Sequence, residues 1–351
     1  MYDCSTLSIT IGQLKPLDFV HEVKIESTWQ KFTDTATITL PRKIRVLSEG
    51  TEQALPELIR VGDAVSISYG YDGQLRPEFT GYVSELKPGT PFSIECEDQM
   101  WLLKRKALNK AWRKVSLLEL LTYVLAENGL QAIPVLELGS LQLGKYTIKA
   151  ATGAQVFDAL KTQFGISCFF RRGVLVAGAP YGTNTKPAEH RYGFAQNIIS
   201  SELAYSQAAD VAIHYKGISH LPGGKKIEID FAGSTKSSPK KGTKAHPVEV
   251  GLTVNSFSKG VPKGELRTIN AVGLNELELR AFVAAEAKRL TYDGYKGGLT
   301  GFNLPLAEHG DIAIITDAEY PERAGSYYID AVSKTFGVNG SRRTIKLGPK
   351  A

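Results

Sequence analysis

The residue types that most often carry chemistry are dispersed along this sequence. The histidines do not repeat at the short spacing of a metal-ligand pair; they are His21, His190, His214, His220, His246 and His309. Three cysteines, far apart and without a C-x-x-C pair, are not typical of a disulfide framework or a zinc site. Cys96 and Cys168 fall in apolar strand patterns, so we expect both to be buried free thiols. The sequence therefore predicts no metal and no cofactor.

Catalytic and nucleotide-binding motifs are absent from the sequence. It contains no phosphate loop of the form G-x-x-x-x-G-K-[ST], and no G-x-G-x-x-G, H-E-x-x-H or G-x-S-x-G. The run GGKK at 223–226 lacks the phosphate-loop spacing and is interpreted as a loop. Carboxylates are scattered, and no spacing selects an acid–base pair. These observations predict an assembly protein and not an enzyme.

One polar segment concentrates lysine. Residues 233–247 read GSTKSSPKKGTKAHP and contain no acidic and no aromatic residue. Such a segment cannot bury enough apolar surface to order itself, so we predict a mobile hairpin loop. Its lysines are the candidate partner contacts: Lys236, Lys240, Lys241 and Lys244. The loop and a net charge of +6 also support an alternative, a basic nucleic-acid-binding module with steeply salt-dependent affinity.

The clearest pattern among the predicted elements is an antiparallel meander over 61–97. Val65, Ile67 and Tyr69 alternate with small or polar residues, as along one face of a strand. Tyr71-Asp72-Gly73 and Pro88-Gly89 are turn signals between this strand and the next two. Three antiparallel strands are therefore predicted.

The same order of parts returns over 309–349. Each copy has Gly-Asp, a strand, Pro-Glu-x-x-Gly, a strand, a turn and a strand, and PEFTG at 77–81 corresponds to PERAG at 321–325. The repeated residues are Gly62, Asp63, Pro77, Glu78 and Gly81, matched with Gly310, Asp311, Pro321, Glu322 and Gly325. We predict that the copies superpose on these positions, with each proline at a strand start or edge. The alternative is two unrelated sheets that use the same turn chemistry.

The remaining patterns predict three domains. Residues 1–105 form a first small antiparallel β-barrel, and residues 191–351 form a second, similar one with a helix over 276–292. Between them, 106–190 is predicted as a small α+β domain. Two capping boxes begin its helices, Ser116-x-x-Glu119 and Thr152-x-x-Gln155. The fold class is therefore mainly β with an α+β middle domain.

Composition is ordinary for a soluble globular protein, with 42% hydrophobic and 22% charged residues. The N-terminal residues lack the basic and apolar regions of a signal peptide, and no apolar run approaches the ~20 residues that span a membrane. We expect a protein without a membrane anchor that is made and folded in a reducing cytoplasm.

Three stretches resemble the phage tail hub family, which includes late control D proteins, Mu-like baseplate hubs and the hub half of VgrG spikes. The first tube domain of that family resembles GDAVSISYGYDG and PEFTGYVSELKPGTPFSIECEDQMWLLK. Its middle domain resembles SLLELLTYVLAENGL and TGAQVFDALKTQFGISCFFRRGVLVAG. Its second tube domain resembles the run from Leu279 to Gly348.

The resemblance implies a structural hub without catalysis of its own. Three chains would form a ring of six barrels that joins a sixfold tail tube to a threefold spike and lines a central channel. The implied partners are the tail tube or distal tail protein, the spike or tail-tip protein and the tape-measure protein, with DNA only as passing cargo. Assembly in the host cytoplasm would precede incorporation into the virion tail. The chain stops after the second barrel, which favours a stand-alone hub; the less favoured alternative is a tail-associated cell-wall hydrolase.

Overall fold

The computed structural model describes residues 5–14, 16–45, 52–137, 141–178, 180–181, 186–194, 196–206, 213–221, 226–232, 265–321, 324–338 and 340–351. The predicted loop 233–247 and Glu322 lie outside these residues. None of the described helices is long and apolar enough to cross a membrane.

The first part of the chain is a β unit. Its elements are β1 (Ser5–Ile11), β2 (Glu22–Thr28), β3 (Thr35–Leu40), β4 (Lys43–Arg45), β5 (Glu52–Ala54), α1 (Leu55–Leu58), β6 (Ala64–Tyr71), β7 (Gln74–Lys87), β8 (Phe92–Glu97) and α2 (Met100–Leu103). Strands β6, β7 and β8 form the predicted antiparallel meander. Six strands follow the order β1-β6-β7-β8-β3-β2, and their alternating apolar residues meet in one core around Ile9, Ile38 and Ile67. The sheet therefore curls around a single core.

The middle unit has a separate core. Its elements are β9 (Ala107–Ser116), α3 (Leu117–Glu127), β10 (Val135–Leu136), β11 (Gln142–Thr152), α4 (Gly153–Phe164), β12 (Ser167–Arg171) and β13 (Val174–Gly178). The Ser116 side chain accepts from the Glu119 amide at the start of α3, and Thr152 with Gln155 forms a complete capping box on α4. Both helices cover the β9–β11 ribbon and the β10-β13-β12 sheet. Because Met100 and Leu103 of α2 also join this core, the first and middle units pack together through α2.

The rest of the chain forms the second β unit and an inserted subdomain. The elements are β14 (Glu189–Gly193), β15 (Ile198–Ser206), β16 (Ile213–His220), β17 (Lys226–Ala232), β18 (Glu265–Val272), α5 (Glu276–Leu290), β19 (Gly294–Gly301), β20 (Ile312–Thr316), β21 (Gly325–Gly337) and β22 (Gly340–Lys350). Strands β16–β18 and helix α5 form the insertion, with its own small core around Tyr215 and Val283. The other six strands surround a core around Tyr192, Ile315 and Ile329.

The two β units share one sheet, which the sequence patterns did not predict. Strand β2 of the first unit pairs antiparallel with the second half of β21, from Glu22 opposite Gly337 to Thr28 opposite Ala331. The result is a single 12-stranded sheet that runs through both units. The fold is mainly β, as predicted, and the joint between the units is a main-chain ladder.

Candidate functional site

Each β unit contains a Gly-Asp turn, and the two turns are equivalent. In the first unit Gly62 has φ +97 and its amide donates to Val83 O at 2.8 Å. The Val83 amide donates to Asp63 O at 2.9 Å, and the Asp63 amide donates to Arg60 O at 3.1 Å. The Arg60 amide in turn donates to Asp63 Oδ2 at 2.8 Å. A left-handed glycine followed by an aspartate thus leads the chain into β6.

The second unit repeats each of these hydrogen bonds. Gly310 has φ +84, and its amide donates to Ile329 O at 2.7 Å. The Ile329 amide donates to Asp311 O at 2.9 Å, and the Asp311 amide donates to Glu308 O at 3.2 Å. The Glu308 amide donates to Asp311 Oδ2 at 3.0 Å. The two Gly-Asp turns therefore have the same backbone geometry and the same side-chain acceptor.

Asp311 has further partners that connect the units. His190 Nε2 lies 3.0 Å and Arg172 Nη2 lies 2.6 Å from Asp311 Oδ2, and the Ala188 amide donates to Oδ1 at 3.1 Å. Burial by itself would raise the pKa of Asp311, but the hydrogen bonds from His190 and the Glu308 amide and the charge of Arg172 outweigh it. The pKa is lowered, and the carboxylate is ionised. This turn thus ties the tip of the β12–β13 hairpin and the chain entering β14 to the second β unit.

Next to the second turn lies a buried ion cluster. Glu78, from the first unit, accepts from Arg343 Nη2 at 2.7 Å with both carboxylate oxygens and lies 3.0 Å from Lys334 Nζ. Lys334 also bonds Glu308 at 2.6 Å, and Arg343 donates to Ala307 O at 2.7 Å. The side chains of Lys334, Arg343 and Glu78 are only 2%, 1% and 3% exposed. Removing one member of a buried ion pair leaves the opposite charge buried without its partner, which is unfavourable. The cluster therefore stabilises one arrangement of the units.

A cavity of about 550 Å³ adjoins the cluster and is lined by all three units. Two further carboxylates face it: Asp98, which is buried, and Asp34, which is half-buried. Burial raises the pKa of Asp34 to about 6, although the Ser27 hydroxyl and the Thr28 amide bond it. The pKa of Asp98 is raised well above its ordinary range by burial and by the neighbouring Asp34. Among the described residues, no group of three or more His, Cys, Asp or Glu is arranged to hold a metal ion.

Comparison with known proteins identifies this fold. No protein-family model and no curated protein sequence matches the chain. Solved structures match over nearly all of it. A tail protein from Neisseria meningitidis MC58 superposes with a TM-score of 0.62 at 15% identity, covering 98% of this chain and 96% of that one. The prophage MuSo2 43 kDa tail protein from Shewanella oneidensis gives 0.63 at 14% identity, with 98% of each chain covered.

The chain has the fold of phage tail proteins. A component of the Escherichia coli type VI secretion system, described as similar to the T4 phage tail proteins gp27 and gp5, also superposes with a TM-score of 0.58 at 11% identity. The match covers 98% of this chain and 77% of that one. At these identities the likeness establishes the fold alone.

Within this tail-protein fold, the strand pairing places one part of the predicted repeat away from its expected position. Gly81 lies opposite Val65, whereas Gly325 lies opposite Ile315. Counted from Gly62 and Gly310, Gly325 therefore occupies the place of Phe79, two residues from the expected Gly81. PEFTG and PERAG share Pro, Glu and Gly at the same spacing, but the two glycines occupy positions two residues apart in the ladders.

The reason for the shift is a β-bulge in the first unit. Pro77 lies inside β7 opposite Ser68, Phe79 lies opposite Ile67, and Glu78 between them has no partner across the ladder. Pro77 lies in the part of β7 that precedes the pairing with β8, which begins at Tyr82, so that side of the strand has no ladder partner there. The adjacent bulge also accommodates a residue that cannot donate. Pro321 precedes β21. The bulge re-aims Glu78 into the ion cluster, a role that the sequence pattern did not indicate.

The sequence patterns did not indicate the other members of the cluster either. Lys334 and Arg343 occupy strand positions whose side chains face the core. They lie two residues from Val332 and Ile345 respectively, and all four residues are buried. A charged residue at an apolar position of an alternating strand is the signal that would have identified them. The buried free thiols expected at Cys96 and Cys168 are present, and burial raises the pKa of each to about 12.

Proposed function

We propose that this protein is a structural hub of a phage tail or of a phage-tail-like injection apparatus. Three chains form a ring with pseudo-sixfold symmetry that joins the tail tube, or distal tail protein, to a threefold spike or tip. The ring forms part of the central channel and also meets the tape-measure protein. DNA is passing cargo, and the chain acts without catalysis, first in the host cytoplasm and then in the virion tail.

The observation that carries the proposal is the common strand order of the two β units. Taken in chain order, the six strands of the first unit are β1, β2, β3, β6, β7 and β8, and those of the second are β14, β15, β19, β20, β21 and β22. Within each unit the six strands pair in the order first-fourth-fifth-sixth-third-second. Two like units in one chain allow three chains to fill six near-equivalent positions in a closed ring.

The joint within one chain supplies a way to close the ring between chains. It pairs the second strand of the first unit, β2, with the fifth strand of the second unit, β21. The equivalent strands that this joint does not use are β15, the second strand of the second unit, and β7, the fifth strand of the first unit. Among the described residues β15 pairs only with β19, and Ile199 and Tyr205 on it are 45% and 52% exposed. We propose that β15 of one copy pairs with the end of β7 in the next.

The register of this contact follows from the internal joint. Ile25 lies opposite a residue of β3, and Leu203 lies opposite the equivalent residue of β19. Ile25 therefore corresponds to Leu203, and Thr28, three residues later, corresponds to Ser206. In each unit, one residue of the fifth strand is hydrogen-bonded to the Gly-Asp turn. Glu85 and Ala331 each lie two residues after that residue, so Glu85 corresponds to Ala331. Since Thr28 lies opposite Ala331, the repeated joint places Ser206 opposite Glu85 and Tyr205 opposite Leu86. In one chain Glu85 and Lys87 are exposed, as this role requires.

Disulfide trapping tests the ring. A Tyr205→Cys, Leu86→Cys double variant, oxidised in assembled tails, is expected to give covalent trimers on non-reducing gels. Each single variant serves as the control and is expected to remain monomeric. Trapped dimers or hexamers in place of trimers would contradict the proposed symmetry, and absence of any cross-link in assembled tails would contradict the proposed strand contact.

Imaging of the native particle tests the function itself. We expect density for three copies in one layer between the tail tube and the tip. Two or six copies per tail, or a location away from the tube–tip junction, would overturn the hub proposal. A monomer in dilute solution is compatible with it, because ring closure needs the tube or the spike as template.

The lysine segment keeps its proposed role as a partner contact. Replacement of Lys236, Lys240, Lys241 and Lys244 by serine is expected to lower particle assembly or delivery, because a polar segment gives reach without a fold of its own. Unchanged assembly and delivery would show that these lysines have no such role.

A further inference from the structure

The middle unit exposes a ribbon of unusual charge. Strands β9 and β11 together contain Lys110, Arg113, Lys114, Lys145 and Lys149 and no acidic residue. All five cations are exposed. One face of the ribbon packs on α3 and α4 through Leu108, Val115 and Ile148, which are buried. We call the two strands with their exposed cations the basic ribbon.

The cations of the basic ribbon differ from other strand lysines in this protein. Lys24, Lys87 and Lys216 each form an ion pair with a glutamate of their own sheet. Within the described residues, no such pair involves any cation of the basic ribbon. Lys110 instead lies over the rings of Trp112 and Tyr123, at 5.0 and 4.1 Å from their centroids. Among the residues that the structure describes, the ribbon's cations therefore have no ion-pair partner.

The shape of the outer face suits a polyanion backbone. Ala111 and Thr147 lie opposite each other in the ladder and are small and exposed. Arg113 and Lys145 lie towards one end of the ribbon from this pair, and Lys149 lies towards the other. A groove of about 440 Å³ between β11 and α4 extends the surface and is also lined by amide side chains, among them Gln163. Cations on both sides of a centre made of small side chains allow contacts to several phosphates at once.

We propose that the basic ribbon binds the phosphodiester backbone of double-stranded DNA, without sequence preference. A two-stranded β-ribbon is one of the two elements that fit the major groove of B-form DNA. Protein interfaces, in contrast, are depleted of lysine and enriched in aromatic anchors at their cores. On this ribbon Trp112 and Tyr146 are half-buried and belong to the core side. The composition of the exposed face therefore favours phosphate contacts over a protein partner, and this proposal is independent of the ring.

The test is fluorescence anisotropy of a labelled 20-base-pair duplex with the full-length protein at 50 to 200 mM salt. Four phosphate contacts predict a slope of about −3.6 in log affinity against log salt. The variant Arg113→Gln, Lys114→Gln, Lys145→Gln, Lys149→Gln is expected to lose about tenfold or more in affinity and most of the slope, since each lost contact lowers the slope by about one. Circular dichroism and thermal unfolding verify that it folds, as exposed substitutions should allow.

A charge-matched control separates the ribbon from net charge. The variant Lys24→Gln, Lys31→Gln, Lys87→Gln, Lys216→Gln removes four positive charges from exposed ion pairs elsewhere. We expect its affinity for the duplex to stay within about twofold of the unsubstituted protein, because exposed pairs contribute little to the fold. Equal losses in the two variants would overturn the ribbon as the site.

Two further measurements can also overturn the proposal. Substitution of the four lysines of 233–247 by serine is expected to leave the ribbon's contribution intact; if it alone abolished binding, the site would lie in that segment. A poly-glutamate chain of the same charge as the duplex is expected to compete weakly. Equal competition would show that the ribbon recognises acidic polypeptides, and not nucleic acid.

Discussion

The two β units share a strand order but differ in how their first strands and turns are used. In the first unit β1 runs antiparallel to β6, whereas in the second β14 runs parallel to β20. Asp63 in the first turn is half-buried and bonds the backbone of its own turn, whereas Asp311 in the second is buried and also bonds His190 and Arg172. The second unit additionally carries the insertion of β16–β18 and α5.

This difference shows that the same backbone arrangement is used in both β units, although the surroundings of the two units differ. The turn and the ladder are the same because both are determined by main-chain hydrogen bonds. The side chains differ because only the second turn faces the middle unit and the ion cluster. The first unit is a simple sheet around a core, and the second unit holds most of the charged contacts that fix the three units relative to one another.

The largest expected effect lies in the ion cluster, where the units meet. We predict that Arg343→Met lowers the free energy of unfolding by about 3–5 kcal/mol, because the buried Glu78 loses its bidentate partner and keeps only Lys334, which it shares with Glu308. Urea denaturation measures this. The matched control is Arg342→Met on the same strand; its side chain stacks on Phe302 and is only partly buried, so a loss below about 1 kcal/mol is expected.

A double variant sharpens the same comparison. Glu78→Met together with Arg343→Met should recover part of the loss, since no charge is then buried alone. A loss equal to the sum of the two single variants would show that Glu78 and Arg343 are not coupled across the joint.

The next largest effect is a pH dependence of stability that differs between Asp34 of the first unit and Asp311 of the second. Because the pKa of Asp34 is raised to about 6 in the folded protein, the folded state binds more protons than the unfolded one between about pH 4 and 6. Its contribution is present below about pH 4 and is lost as pH rises through 6. We predict that Asp34→Asn removes a decline of about 3 kcal/mol between pH 4 and pH 7. Parallel stability curves for both proteins would contradict the raised pKa.

Asp311 should show the opposite dependence on pH. Its pKa is lowered, so its stabilisation is present above about pH 4, the unfolded pKa, and is lost as pH falls through the folded value. At pH 7 we predict a loss of about 2 kcal/mol for Asp311→Asn, because hydrogen bonds to the charged carboxylate are replaced by neutral ones. Thermal unfolding from pH 2 to 7 measures both the loss and its disappearance in acid.

The smallest effect is expected at the matching turn of the first unit. Asp63→Asn should cost about 0.5 kcal/mol or less, because the amide oxygen still accepts from Arg60 and no buried cation is left without its partner. Equal losses for Asp63→Asn and Asp311→Asn would remove the distinction between the two turns.

Local features of the fold could be predicted from the sequence because they depend on neighbours along the chain. Alternation identified β6, β7 and β8, and polar caps identified the starts of α3 and α4 at Ser116 and Thr152. The Gly-Asp repeat marked two turns that have the same hydrogen bonds. The helix predicted over 276–292 is α5, which ends at Leu290. Each of these patterns is decided by dihedral preference or by which face of a strand is apolar.

Only the tertiary structure decided the register, the joint and the site. The bulge at Glu78 inserts one residue into a ladder, and letters alone do not show which residue is left without a partner. The pairing of β2 with β21 joins residues about 300 positions apart through backbone groups that every residue possesses, so no residue type marks it. The ion cluster forms where that ladder brings Glu78 to Lys334 and Arg343. The sequence by itself determined the strands and turns; long-range pairing decided which charges became buried together.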